Sequence, residues 1–209
     1  YSSDKYLNEF CRQYYGHKQA AKATQLYKDF YNAYWQQRKP ELQGFERQFI
    51  FQDLRYNRAL KDIAANFNKP YSTNPLIDIS AEQVENRTYN IIPKDNGTET
   101  VIEAIIEGTK KSASEFYKVA KQADKVYKKM SSKDRAFFND NLRQQAYYMY
   151  HLNQALHQLS QGYVAKDQKQ RVDLATEALA SLKEAEKSLL ATQHDVFSKW
   201  YAGDRVFGV

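Results

Sequence analysis

The chain has 209 residues, enough for one sizeable core or at most two small ones. Its 42% hydrophobic and 27% charged content is ordinary globular usage, and 7 Gly with 4 Pro supply too few turns for a β-sandwich or barrel, which needs one every ~8–12 residues. The net charge of +6 comes from interleaved acids and bases, short of the field of a strong nucleic-acid binder, and no apolar run nears the ~18 residues of a membrane span. Neither nucleic acid nor a membrane is therefore expected as a partner.

A first helix is predicted over residues 4–15, with Asp4 as its N-cap and Gly16 as its stop. Leu7, Phe10, Cys11 and Tyr14 share one face, so the single cysteine reads as a small buried thiol that can form no internal disulfide. The second helix, residues 18–37, places Tyr27, Phe30, Tyr31, Tyr34 and Trp35 at i, i+3, i+4, i+7 and i+8, a stripe of rings on one face. Pro40 ends it near Lys39. A third helix over 44–67 carries Phe49, Tyr56, Leu60, Ile63 and Phe67, so that helices two and three make a hairpin around a basic corner. Residues 68–97 hold Pro70, Pro75 and Pro93 and read as a loop-rich insertion with one short helix capped by Ser80 and Gln83.

Helix four is predicted over 98–130, with Val101, Ile105, Gly108, Ser112, Phe116, Val119, Ala123, Val126 and Met130 at steps of three and four. Ser131 and Ser132 break it and cap the next. Helix five carries Phe138, Leu142, Met149, Leu152, Leu156, Leu159 and Tyr163; helix six, from about Asp167, carries Val172, Ala175, Leu179, Leu182, Leu189, Val196 and Trp200. Short connections between long amphipathic helices demand an up-down-up order. The expected fold class is all-α: one domain over 1–209, an antiparallel bundle of three long helices plus an N-terminal helical hairpin. Tyr1 is read as the start of a processed protein or of a domain cut from a longer chain.

The chemistry-bearing residues give little support to catalysis. His17, His151, His157 and His194 include no i, i+4 pair, and no HExxH, CxxC, GxSxG or glycine-rich phosphate loop occurs, so no metal or cofactor is expected. Carboxylate pairs such as Glu184–Glu186, Asp53–Asp62 and Glu103–Glu107 fit solvated helix faces, since two catalytic carboxylates must face each other across a cleft. Lys111, Lys118, Lys121, Lys125, Lys128 and Lys129 form a lysine face on helix four, either a solvated back or a stripe for a polyanion. Two places combine large rings with charges where helices end: Trp35, Arg38, Lys39 and Glu41 at the corner, and Trp200, Tyr201, Asp204 and Arg205 near the C-terminus. They form the expected docking surface.

The same places carry a family likeness. YNAYWQQRKPEL (31–42) and LRYNRAL (54–60), then EFYKVAKQADKVYKKMSSKDRAFFNDNLRQQAYYMYHLN (115–153) and FSKW (197–200), resemble the helical domain of xylan α-glucuronidases of glycoside hydrolase family 115. Residues 68 to about 114 depart from that pattern and read as an insertion. The resemblance implies an accessory domain that packs against the catalytic barrel of a longer, secreted or periplasmic enzyme and contributes no catalytic residue of its own. A homodimer is the further partnership it leaves open. Two alternatives stand beside it: a stand-alone helical interaction module, and a polyanion-binding bundle that uses the lysine face.

Overall fold

The computed structural model describes residues 2–35, 60, 63–64, 67–68 and 98–194, with positions 34–35 and 98–105 described through their backbone alone. All regular structure among these residues is helical, so the all-α expectation holds. Helix α1 spans Ser3–Tyr15 and α2 His17–Trp35; α3 spans Thr98–Tyr127 and α4 Ser132–Phe138. One π-helical turn, Asn139–Arg143, carries α4 directly into α5, Gln144–Val164, and α6 follows at Gln168–Leu190. The third expected helix and the insertion at 68–97 lie outside the described residues, apart from the few positions named above.

The helix ends follow local chemistry. Ser2, rather than Asp4, caps α1: its Oγ accepts the Lys5 backbone N–H at 3.3 Å. Asp4 stands instead in the first turn, where a carboxylate complements the helix dipole. Gly16 alone joins α1 to α2 at φ 75°, a conformation that strains a residue bearing a Cβ. Ser131 caps α4 through the Asp134 N–H, as expected, and Asp167 caps α6 through that of Gln170.

Cross-helix contacts set the packing order. Asn8 reaches Thr24 and Asp4 pairs with Lys28, so α1 and α2 run in opposite senses. Ser112 donates to the Ala33 carbonyl at 2.7 Å, and Phe30 meets Phe116 edge to face, laying α2 against α3. Between α3 and α5, Asp124 meets Arg143 and Tyr147, Tyr117 meets Tyr150, and the Ile106 carbonyl meets His157. One number rises as the other falls, so these helices also run oppositely. Gln158 meets Ser181 and Glu177 across the α5–α6 seam, and Arg171 of α6 takes the carbonyls of Tyr163 and Ala165 at the end of α5.

Two core clusters result. One joins α1, α2, the second half of α3 and the α4–α5 junction around Cys11, Tyr15, Leu26, Val126, Phe138 and Leu142. The other surrounds Phe116, Met149, Leu152 and Leu156 and includes Leu60 and Ile63, members of the stripe expected for helix three.

Two expected stripes are corrected. Tyr31 is half-exposed: α2 buries Ala23, Leu26 and Ala33, with Phe30 packed beside them, which leaves Tyr31 about 140° around the helix from Leu26. On α6, Val172 and Leu179 are 52% and 54% exposed, while Ala178, Ser181, Ala185 and Ser188 form the buried face. Small side chains let the α6 backbone approach α5 closely, and the Ser181 hydroxyl is satisfied by Gln158 Oε1 at 2.8 Å. Close approach recurs at Gly162, where an added Cβ would lie 3.0 Å from the Phe67 ring and 3.2 Å from Leu174 Cβ.

Candidate docking surface

Where α1 meets α4, six aromatic rings meet. Tyr15 and Phe138 are buried and stand edge to face at 5.2 Å, and the Tyr15 and Tyr27 hydroxyls share a 2.5 Å hydrogen bond. Burial, followed by the neighbouring hydroxyl, pushes the Tyr15 phenol well above its ordinary value. Burial also lifts Tyr27, to about 12, against the opposing effect of its hydrogen bond with Tyr15. Both phenols therefore stay protonated throughout the physiological range. Outside this inner layer, Phe10 packs on Tyr14 at 4.7 Å, and Tyr14 stacks on Phe137 at 4.9 Å. Tyr14 and Phe137 remain 43% and 36% exposed, and Tyr6, two turns before Tyr14, is 66% exposed. An apolar layer thus continues from the core to the solvent surface.

The π turn beside this edge is held by a polar knot. Arg143 Nε donates to Asp124 Oδ1 at 2.6 Å, Tyr147 donates to Asp124 Oδ2 at 2.7 Å, and Arg143 Nη1 donates to Asn139 Oδ1 at 2.9 Å. The guanidinium also lies over the Tyr127 and Tyr147 rings, at 4.9 and 5.8 Å. Burial on its own would raise the Asp124 pKa, but the Tyr147 hydroxyl, Arg143 and Lys121 outweigh it and hold the carboxyl below its ordinary value. Burial, and donation to that carboxylate, push Tyr147 up to about 12. The knot clamps α3 to α5 around the extra residue that a π turn inserts. Within the same π turn, Asp140 Oδ2 meets His194 Nε2 at 2.7 Å and ties the segment after α6 to it.

Trp35 is the last residue of α2 and is described through its backbone; Arg38, Lys39, Glu41, Trp200, Tyr201, Asp204 and Arg205 lie outside the described residues. His17 accepts from Arg12, and His157 Nδ1 meets the Ile106 carbonyl at 2.8 Å. Burial lowers the pKa of both His151 and His157. No group of three possible metal ligands occurs among the described residues, and no described helix is long and apolar enough to cross a membrane.

Sequence reading missed the exposed edge because Phe10 and Tyr14 share the face of Cys11, which made the whole stripe look interior. The available signal was Phe137 beside Phe138: adjacent helical residues point about 100° apart, so both cannot enter one core. Family models, curated proteins and solved structures all return no match to this chain.

Proposed function

We propose that this chain is a non-catalytic accessory helical domain that docks, through the α1–α4 aromatic edge, onto a partner domain of the same polypeptide. The family likeness names that partner as the catalytic barrel of a glycoside hydrolase of the α-glucuronidase type. The observation that carries the docking reading is the Tyr14–Phe137 stack, with Tyr6 along the same helix, continuous with the core yet open to solvent. The resembling segment 115–153 also supplies Phe137 and the π turn beneath it.

Magnitude favours a tethered partner. Covering the exposed half of three rings, each worth ~150–250 Å² when buried, gains on the order of 7 kcal/mol at about 25 cal/mol per Å². Joining two free molecules costs a comparable amount, roughly 4–15 kcal/mol. Within one chain most of that cost is removed by the linkage itself.

The reading frame that contains the chain is expected to encode a barrel upstream of Tyr1. Tyr14→Ser with Phe137→Ser costs the isolated chain its ring stack, and in the whole enzyme it should lower the melting temperature by several degrees more than that. A reading frame with no further domain overturns the accessory role and leaves a stand-alone interaction module. Equal losses in both proteins would make the edge an internal support instead.

A further inference from the structure

The second half of α3 carries a charge imbalance that the docking edge does not use. Lys111, Lys118 and Lys125 lie within about 40° of one another around the helix, with Lys121 on one flank, over about 21 Å of axis, and Lys128 and Lys129 follow in the turn that ends it. All six are exposed. Lys111 and Lys118 are paired with Glu107 and Glu115, each at 2.7 Å. The other acid of this region, Asp124, is consumed by Arg143 and Tyr147. Among the described residues no carboxylate pairs with Lys125, Lys128 or Lys129, and Lys121 sits 5.4 Å over the Tyr117 ring. A helix C-terminus attracts cations, but only within its last turn, so Lys118 and Lys121 lie beyond that effect.

We infer that this face binds a densely sulfated polysaccharide. The opposite side of α3 is closed, with Phe116, Val119, Ala120, Ala123 and Val126 all buried, so the helix has no apolar face to offer a lipid surface. Arginine is the residue suited to planar, bidentate recognition of phosphate, and both nearby arginines are turned inward: Arg135 onto the carbonyls of Met130 and Lys128, Arg143 onto Asp124. What faces outward is a row of ammonium point charges flanked by Tyr117, which is exposed, and Tyr150 at 5.0 Å from it. Such rings can lie against the C–H face of a sugar, and lysines match separate sulfate groups. Charge density decides between acidic glycans. A sugar ring in an extended chain advances by about one helical pitch, ~5.4 Å, so a uronate polymer brings at most one charge per turn of α3. The lysines exceed that density between residues 118 and 129, whereas sulfated sugars carry more than one charge per ring. The inference stands on this charge distribution and not on the accessory-domain reading.

The test is titration of the full chain with heparin at ~150 mM salt, beside polygalacturonate, dextran, single-stranded poly(dT) and phosphatidylserine vesicles. Heparin should bind most tightly. The variant K121Q/K125Q/K128Q/K129Q should lose at least tenfold in affinity, and the control K5Q/K18Q/K22Q/K169Q, also exposed and equal in charge, less than twofold. Circular dichroism checks that both variants fold. Equal loss in the two variants, tighter binding to poly(dT), polygalacturonate or vesicles, or no heparin binding at this salt would each overturn the inference.

Discussion

Arg143→Met tests how the α3–α5 seam is held. Methionine keeps the bulk between the Tyr127 and Tyr147 rings but removes the donors to Asp124 and Asn139 and the charge over both rings. A hydrogen bond between charged partners contributes ~1.5–3 kcal/mol and a partly exposed cation–π contact ~0.5–1 kcal/mol. Arg143 and Asp124 are 26% and 23% exposed, so solvent screens part of this, and a net loss of ~2–3 kcal/mol is expected. For a chain of this length that is roughly 4–12 °C in melting temperature. Much of the loss comes from leaving Asp124 charged and under-partnered, so Asp124→Asn added to Arg143→Met should recover part of it. The pH dependence has a definite sign. The folded Asp124 pKa is depressed, so its stabilisation is present above the ordinary carboxylate value and disappears as pH falls through the folded pKa. The gap between wild type and Arg143→Met should therefore narrow under strong acid. Urea denaturation at pH 7 and at successively lower pH measures all of this. A cost below ~0.5 kcal/mol, or strict additivity in the double variant, refutes the knot as the clamp.

Gly162→Ala should destabilise by ~1 kcal/mol net in urea titration: a Cβ 3.0 Å from Phe67 must displace a ring that Arg171 also covers, and the helix-propensity gain of about 1 kcal/mol offsets only part of the ~1–3 kcal/mol cost. Leu179→Lys should shift stability by less than ~0.5 kcal/mol, whereas Ala185→Leu should cost ~1–3 kcal/mol, which distinguishes the exposed leucine stripe from the buried small-residue face. His151 and His157 have depressed pKa values, so stability is complete above about 6.5, the unfolded value, and falls as pH drops toward their folded values. The melting temperature should decline between pH 7 and 5, and less so in His157→Gln.

Much of the architecture was legible because α3 and α5 carry long runs with one apolar face, and Gly16, Ser131 and Asp167 mark the α1–α2 joint and the starts of α4 and α6 by simple chemistry. The misreadings share a cause. Large apolar residues were assigned to the interior, but α6 turns Ala178, Ser181 and Ala185 inward because small residues permit closer backbone approach. The π turn was invisible because its helical backbone continues on both sides, and only the convergence of Asp124, Asn139, Arg143 and Tyr147 reveals it. That convergence joins residues on different helices, which no local pattern encodes. The expected docking residues, apart from the Trp35 backbone, lie outside the described residues. The exposed edge arises where α1 and α4 meet, a contact that periodicity within either helix leaves unspecified.

The central claim is that the Tyr14–Phe137 edge is covered by a partner domain of the parent protein. Thiol labelling tests it, since Cys11, the single cysteine of this sequence, is fully buried and burial raises its pKa. Tyr14→Cys would be introduced into the isolated chain and into the whole parent protein, and each treated with a bulky maleimide under native conditions. The account predicts rapid labelling in the isolated chain and labelling at least tenfold slower in the parent. Equal rates in the two would contradict it.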